Sequence, residues 1–479
     1  MKWNFKNSYL ELPAEFFRRQ SAATAPNPRA IVVNDGLIEE LGLGKYEDAD
    51  LSVLAGNSLA EGSEPFAQAY AGHQYGHFTM LGDGRALVLG EHVTPDERRF
   101  DIQLKGSGRT PFSRRGDGKA ALGPMLREFL LSEAMHALGV PTTRSLAVIA
   151  TGEPVYREEV LPGAILTRIA SSHIRVGTFE FAAAREGVSK LEALAQYTLR
   201  RHYPEIAEAP DPYVELLRAV SKRQARLVAQ WLSYGFIHGV MNTDNMAVSG
   251  ETIDYGPCAF MNGFDPMAVF SSIDERGRYA YGNQARIALW NLERFAEALL
   301  RIIDASEEIA KEKATAALQD FATEFNEAWL QAMGRKLGLA DAQVADMPLV
   351  TRFLELMQKQ RADFTNTFWR LSYPESEWPT VGLFATEDFQ VWSSEWRKRL
   401  EQVGLPAATA CMRASNAAII PRNHRVEEAL AAAHRGDLAP FRRLWEAVSR
   451  PFDLKESNTD LQTPPTAEQE TGYQTFCGT

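Results

Sequence analysis

Two neighbouring stretches decide the reading: HGVMNTDN at residues 238–245 and, after the turn signal Ser249-Gly250, TIDYG at 252–256. A loop bearing Asn245, a short hairpin and then Asp254 would bring an amide oxygen and a carboxylate to one point. Hard oxygen donors so placed hold Mg²⁺ on the phosphates of a nucleotide. The plainer alternative is that Asn and Asp only cap a turn. What favours the metal reading is the context, because the pair follows a long, well-marked helix. That helix, DPYVELLRAVSKRQARLVAQWLSYG at 211–235, has Asp211 as cap, Pro212 at the first helical position and Gly235 as its stop.

The interval from His238 to Asn245 equals that of a protein-kinase catalytic loop, and Asp254 with Gly256 stands where the Asp-Phe-Gly triplet would stand. One position departs from the pattern. Two residues after the His, where a kinase has its catalytic Asp, this chain has Val240, and the nearest carboxylate is Asp244.

Outward from this point the periodicity changes character. Between Arg85 and Ile149 the chain reads as short β-type runs, RALVLGE, DIQLKG and SLAVIATG, around one helical stretch, GPMLREFLLSEAMHALGV, with Pro124 in its first turn and Gly139 at its end. After Arg168 it turns mostly helical, with further helical patterns at about 285–335, 347–363, 388–402 and 425–448. The expectation is an α+β, protein-kinase-like bilobal fold, with a small β-rich N-lobe holding one key helix and a larger, mostly helical C-lobe. The expected limits are an N-terminal segment at 1–60 packed on the N-lobe, the N-lobe at 61–155, the C-lobe at 156–345 and a helical extension at 346–451. The polar, Pro-containing stretch at 452–479 has little to bury and reads as a mobile tail.

In DIQLKG, alternation puts Asp101, Gln103 and Lys105 on one face of a strand and Ile102 and Leu104 on the other. A cation on a strand suits phosphate, and its natural counterion is Glu128 near the start of the helix. Alone, the pair could be an exposed lysine and a first-turn acid, and Glu128, Ser132 and His136 could form a stripe facing water. LGDGRALVLG supplies Gly82 and Gly84 for close backbone approach, with Arg85 beside them, although Leu87 takes the place of a third glycine. Segment 105–119 carries Lys105, Arg109, Arg114, Arg115 and Lys119 against one acid, Asp117, a local cationic cluster suited to phosphate. A solvated loop or a single-stranded nucleic-acid groove are the competing readings, the latter weakened by few aromatics. Arg168 and Arg175 lie seven apart and could both point into a cleft. His73 and His77 in AGHQYGHF are four apart, yet Gly72 and Gly76 argue against a helix, so a zinc site is rejected.

Composition sets the outer limits. The 479 residues are 45% hydrophobic and 24% charged, which excludes a disordered or fibrous chain. A net charge of −11 disfavours non-specific nucleic-acid binding. Three cysteines, Cys258, Cys411 and Cys477, without a disulfide or zinc spacing, favour a reducing compartment. The start lacks a secretory h-region and no apolar stretch approaches a bilayer span. A cytoplasmic protein without membrane partners is expected.

Taken together, AGHQYG, LGDGRA, DIQLKGSGRTPFSRRGDGKAALGPMLREFLLSEAM, HGVMNTDNM, DYGP, IPRNH at 420–424 and the ending YQTFCGT resemble the selenoprotein O family over nearly the whole chain. The resemblance implies a kinase-like fold that binds ATP in a reversed orientation and, with Mg²⁺ or Mn²⁺, transfers AMP to Ser, Thr or Tyr hydroxyls of proteins, some bacterial members also transferring UMP. It implies nucleotide contacts at Gly82, Gly84, Arg85, Lys105, Asp117, Gly118, Arg168, Arg175 and Asp254, with Glu128 pairing Lys105. Asn245 and Asp254 become metal ligands and Asp244 the proton acceptor. It also suggests a redox link from the C-terminal Cys477 to a thiol after the DYG segment, where Cys258, four residues beyond Asp254, is the candidate. An ordinary kinase-type phosphotransferase and a non-catalytic ATP-binding scaffold are the alternatives.

Overall fold

The computed structural model describes residues 1–185 and 187–475. Ten strands precede the helical region: β1 (Phe17–Arg19), β2 (Arg29–Val33), β3 (Phe66–Gln68), β4 (Ala71–Gln74), β5 (His77–Met80), β6 (Ala86–Val93), β7 (Arg99–Lys105), β8 (Ala120–Ala121), β9 (Arg144–Tyr156) and β10 (Val160–Ala170). Eight of them form one antiparallel sheet in the order β1-β3-β6-β7-β10-β9-β2, with β8 added on β10, while β4 and β5 make a separate hairpin. Two expected limits shift accordingly. β1 and β2, inside the N-terminal segment, are strands of the sheet itself, and the sheet runs to Ala170, so a boundary at 155/156 would cut the β9–β10 hairpin.

Both faces of the sheet are covered, which is why β6 reads as a nearly continuous buried run. Helices α1 (Asp35–Glu40) and α2 (Asp50–Leu54) bring Leu37, Ile38, Leu41 and Leu54 against Leu89, Ile102, Leu104 and Ile165. On the opposite face lies α3 (Leu122–Ala137), whose Leu126, Phe129 and Leu130 pack on Val148 and Leu166. Gly139, at φ +78°, lies just past its C-cap Leu138. Glu128 and Ser132 are buried and only His136 of the expected polar stripe faces solvent.

Helices α4 (Val176–Arg185), α5 (Val188–His202) and α6 (Pro212–Ser233) follow. Asp211 holds the N-cap position of α6, but its side chain caps nothing and instead accepts from Lys313 Nζ at 3.1 Å. Gly235, at φ +69°, turns the chain into β11 (Phe236–Ile237), which pairs antiparallel with β12 (Ala259–Phe260). This two-stranded clasp brackets residues 238–258, so both halves of the opening motif leave from one place.

The run expected at 285–335 is two helices, α7 (Gln284–Ile303) and α8 (Glu307–Lys336), separated where Ser306 caps α8 by accepting from Ile309 N at 3.4 Å. After α9 (Met347–Gln360), α10 (Phe364–Leu371), α11 (Glu387–Val403) and α12 (Leu405–Ser415), the run expected at 425–448 also divides, into α13 (Asn423–His434) and α14 (Ala439–Val448) on either side of Gly436. α13 and α14 return to α3, with Phe129 5.0 Å from Trp445 and 6.2 Å from Phe441.

The stretch beyond 452 does have something to bury. Leu461 joins the core around α3, a short α15 (Ala467–Glu470) follows, and Thr475 donates from Oγ1 to Pro257 O at 2.6 Å and from N to Phe270 O at 2.7 Å. Composition missed this because the docking contacts, Leu461, the Tyr473 ring beside Phe270 and the bonds of Thr475, are scattered singly through polar sequence. Cys477 lies outside the described residues. No helix among the described residues is long and apolar enough to cross a membrane.

Candidate active site

Strand β7 builds the centre. Its apolar side enters the layer under α1 and α2, and each residue of its polar side meets a buried partner: Asp101 accepts from Arg201 Nη2 at 2.6 Å and His173 N at 2.8 Å, and Gln103 accepts from Arg168 Nη1 at 3.1 Å. Lys105, only 5% exposed, donates from Nζ to Glu128 Oε2 at 2.6 Å and to Asp254 Oδ1 at 2.6 Å. The lysine is thus a buried cation rather than an exposed strand residue. Arg168, facing Gln103 on β10, gives Nε to Glu128 Oε1 at 2.8 Å, bonds the same oxygen through Nη2, and stands 3.6 Å from Asp254 Oδ1.

These four side chains form a closed charge cluster. Burial pushes Glu128 up, yet Arg168 and Lys105 outweigh it and keep the carboxyl below its ordinary range. For Asp254 burial is again the largest influence and again loses, here to Lys105, Arg168 and Arg85, so the carboxyl stays ionised far into acid. Asp254 has φ +68°, a left-handed conformation unusual for a non-glycine residue.

His238 ties the two halves of the motif together. It is fully enclosed, burial lowers its pKa, and the neutral ring donates from Nε2 to Ile253 O at 2.9 Å, next to Asp254. Asn245 donates from Nδ2 to Val240 O at 3.1 Å, which leaves its Oδ1 as the atom able to ligate a cation. Asp244, in the short 3₁₀ turn Thr243–Asn245, is 7% exposed, and its Oδ1 is buried without a hydrogen-bond partner. Burial raises its carboxyl to about 6 against the opposing charge of Arg175. Arg175 donates from Nη1 to Asp244 O at 3.1 Å, lies 3.6 Å from Asp83 Oδ1 through Nη2, and stacks 4.3 Å over the Tyr70 ring.

Lys105, Arg168, Arg175, Asp244, Asn245 and Asp254 line one cleft of about 420 Å³, with Arg85 and Asp83 in the same wall. A second cavity of about 430 Å³ shares Arg85 and Lys105 and opens between α3, α13 and Tyr473–Thr475.

Several residues that support Asp244 went unnoticed at the level of sequence. The β4–β5 hairpin grips its loop: His73 N donates to Thr243 Oγ1 at 2.7 Å and Tyr75 N to Asn242 Oδ1 at 3.1 Å. Thr243 Oγ1 in turn donates to Glu180 Oε2, and His73 Nδ1 bonds the other oxygen of that carboxylate. A Cβ on Gly72 would stand 2.2 Å from Asp244 Oδ1, and one on Gly177 2.0 Å from Ala71 O. The visible trace in the sequence is the pair of glycines in AGHQYG, whose spacing does not say which residues approach them. Of the two histidines in this hairpin, His73 is engaged by Glu180 and His77 is exposed.

Other expected contacts lie elsewhere. Gly82, at φ +139°, approaches the Phe112 ring, where a Cβ would come within 2.4 Å, and Gly84 O accepts from Ser113 Oγ. The glycines thus seat the 110–113 loop rather than leave an open cradle. Asp117 pairs with Arg157 at 2.9 Å on the β9–β10 hairpin, and Gly118 closes on Gly108, so neither lines the cleft. The cationic segment also disperses: Arg109 and Arg114 bond backbone carbonyls and Lys119 pairs with Glu153 at 2.8 Å, leaving Lys105 as its contribution to the cleft. Cys258 is enclosed and burial pushes its thiol up to about 12.

The family model described as protein adenylyltransferase SelO matches residues 1–449. The chain is 53% identical over 483 residues to the protein nucleotidyltransferase YdiU of Nitrosococcus oceani, covering all of this chain and 97% of that protein. It is 54% identical to the YdiU protein of Brevibacillus brevis and 53% identical to that of Geobacillus kaustophilus, again over its full length and 98% and 99% of theirs. The chain belongs to the SelO family.

Proposed function

We propose that this SelO-family chain is a kinase-like, bilobal protein adenylyltransferase that moves AMP from ATP to Ser, Thr or Tyr hydroxyls of proteins, with UMP from UTP as a second donor. The observation that carries the reading is a buried carboxylate oxygen of Asp244 with no partner, placed in one cleft with the Lys105–Glu128–Arg168–Asp254 cluster and Arg175. Such a carboxylate can accept a proton, and such a group of cations can receive a polyphosphate. Family names and full-length similarity point the same way.

The donor set suits a hard divalent cation. Asn245 Oδ1 and Asp254 are the residues that would hold it, and two oxygen donors on the protein leave the remaining positions to phosphate and water, the usual preference of Mg²⁺. When bound, Mg²⁺ or Mn²⁺ would offset phosphate charge. The chain's own residues do the rest. Asp244 takes the proton from the acceptor hydroxyl, whose oxygen bonds to the α-phosphorus as the bond from that phosphorus to the bridging oxygen breaks. Pyrophosphate departs with that electron pair, and Lys105, Arg168 and Arg175 neutralise it in a reversed nucleotide whose γ-phosphate lies deepest. Arg85 lies in the same wall. Asp117 and Gly118 remain proposed nucleotide contacts that require the 108–118 loop to approach the cleft, and Gly82 and Gly84 remain proposed contacts that require Phe112 to give way. The cysteine usage suits a reducing, cytoplasmic setting.

Parallel incubation with α-labelled and γ-labelled ATP tests this. Label on protein from the α position alone, lost in Asp244→Asn by at least about 100-fold while ATP still binds, is the expected outcome. Label from γ alone would make it a kinase, and binding without either label a scaffold.

A further inference from the structure

Every side chain that lines the cleft is buried or half-buried except one. Ile273 lines the same wall as Asp244, Asn245 and Asp254, yet it is 60% exposed. A single exposed aliphatic residue is ordinary on a protein surface. This one differs in being built into the mouth of a polar cleft and held there. On one side Ser272 N donates to Thr475 O at 3.0 Å, within a strand-like contact between Ser271 and Thr475. On the other, the Asp274 carboxylate accepts from Arg278 N and Tyr279 N, both at 2.8 Å, and Tyr279 OH reaches Asn242 Oδ1 at 2.8 Å, next to Thr243 and Asp244. The segment that presents Ile273 is therefore tied both to the C-terminal stretch and to the loop carrying the proton acceptor.

The charged residues at the centre of the cleft are suited to phosphate and are already paired or buried. What remains for the exposed aliphatic at the rim is the second reactant, which must bring a hydroxyl to Asp244 while most of its chain stays outside. We infer that Ile273 is a specificity-determining residue, covered by an apolar side chain two positions from the acceptor hydroxyl in an extended segment of the protein substrate. Residues of an extended chain rise about 3.3 Å each and alternate in direction, so the immediate neighbour of the acceptor points away from the cleft, while the residue two positions on shares the acceptor's face and meets the rim. Val240, half-buried in the same lining, extends the apolar contact. Covering Ile273 removes apolar surface from water on both partners, which discriminates against charged flanking residues by a roughly tenfold factor. The inference rests on the adenylyltransferase reading.

The test uses the full-length protein, α-labelled and in parallel γ-labelled ATP, and a peptide series in which one tyrosine is flanked, two positions away on either side, by Leu, Glu or Lys. The wild type should prefer Leu-flanked peptides by about tenfold in kcat/KM, expressed in KM for the peptide. Ile273→Glu should lose that preference and turn towards Lys-flanked peptides, while Ile273→Leu keeps it. A thermal melt of each variant separates these effects from misfolding. Equal transfer to all flanks by the wild type overturns this inference and leaves the adenylyltransferase reading standing. A change in KM for ATP in Ile273→Glu, with peptide preference intact, also overturns it and assigns the side chain to the nucleotide. Label on the peptides from the γ position alone, or on none, defeats both readings.

Discussion

Lysines 105 and 336 are both buried, and they answer to different physics. Lys105 has Glu128 and Asp254 at 2.6 Å, so its charge is compensated on the spot. The sequence suggests a polar-face lysine whose loss would leave folding untouched, but its partners change that expectation. Lys105→Met should abolish transfer and also cost about 3 kcal/mol of stability, because two enclosed carboxylates then share Arg168. A urea melt reads the second effect, and an unchanged midpoint would mean that Arg168 and Arg85 suffice. Lys336, at the end of α8, has instead the rings of Phe368, Tyr234 and Phe364 at 4.6, 5.3 and 5.7 Å from Nζ, and burial lowers its pKa to about 7. The unfolded chain keeps this amine protonated up to its ordinary range near 10, so between pH 7 and 10 unfolding takes up a proton and stability rises with pH. Below about pH 7 the folded form must hold the charge, and the penalty is complete. Lys336→Met should therefore melt higher than the wild type at pH 6, by about 2 kcal/mol, with the gap closing as pH approaches 10. Paired melts at pH 6, 8 and 9.5 check the sign, and a constant gap would show that the rings hold the ammonium charged throughout.

Among the elements, the β4–β5 hairpin matters out of proportion to its ten residues, 71–80. It contributes backbone to the loop of Asp244 through His73 N and Tyr75 N, and Gly72 gives the carboxylate the room it occupies. Gly72→Ala places a methyl 2.2 Å from Asp244 Oδ1, so the acid must move. Transfer at saturating ATP should fall by about 100-fold, as expected for a reacting group displaced by an ångström, with ATP affinity nearly unchanged. Single-turnover transfer together with ATP titration separates these, and a parallel loss of ATP binding would indicate a collapsed cleft. This hairpin also shows where sequence reasoning stops. Strand β7 was legible because alternation fixes faces within one element, and Lys105, Glu128, Arg168, Asp244, Asn245 and Asp254 could be named. The partners Thr243, Asn242 and Glu180 lie from 63 to 170 residues from the groups they bond, and nothing in local periodicity reports such distances. Helix content was legible as well, but the breaks at 304–306 and around Gly436 were not, because apolar spacing continues across them. Gly82 and Gly84 show the limit in another way: small residues announce a close approach without naming the neighbour, which here is the Phe112 ring beside Gly82 and the Phe112–Ser113 backbone beside Gly84.

Over the whole molecule, the C-terminal helices are joined to the charge cluster of the cleft through α3. Phe441 on α14 is fully buried, 6.2 Å from Phe129, and Trp445 stands edge-on to the same ring at 5.0 Å, while the residue preceding Phe129 is Glu128. Arg422, before α13, is itself enclosed and bonds Asp363 Oδ2 at 2.9 Å and Asn262 Oδ1 at 2.7 Å, fastening that layer to the segment after β12. α3 thus packs against residues about 300 positions later in the chain. Removing the ring in Phe441→Ala opens a cavity against α3 and should cost about 3–5 kcal/mol. If α3 relaxes into that space, Glu128 withdraws from Lys105 and Arg168, and transfer slows although no residue of the cleft has changed. The expected outcome, measured at a temperature well below the variant's own Tm, is a loss of about tenfold or more in single-turnover transfer, with Phe441→Leu intermediate in both stability and rate. A variant that melts early yet transfers AMP at the wild-type rate would show that α14 stabilises α3 without setting where Glu128 stands.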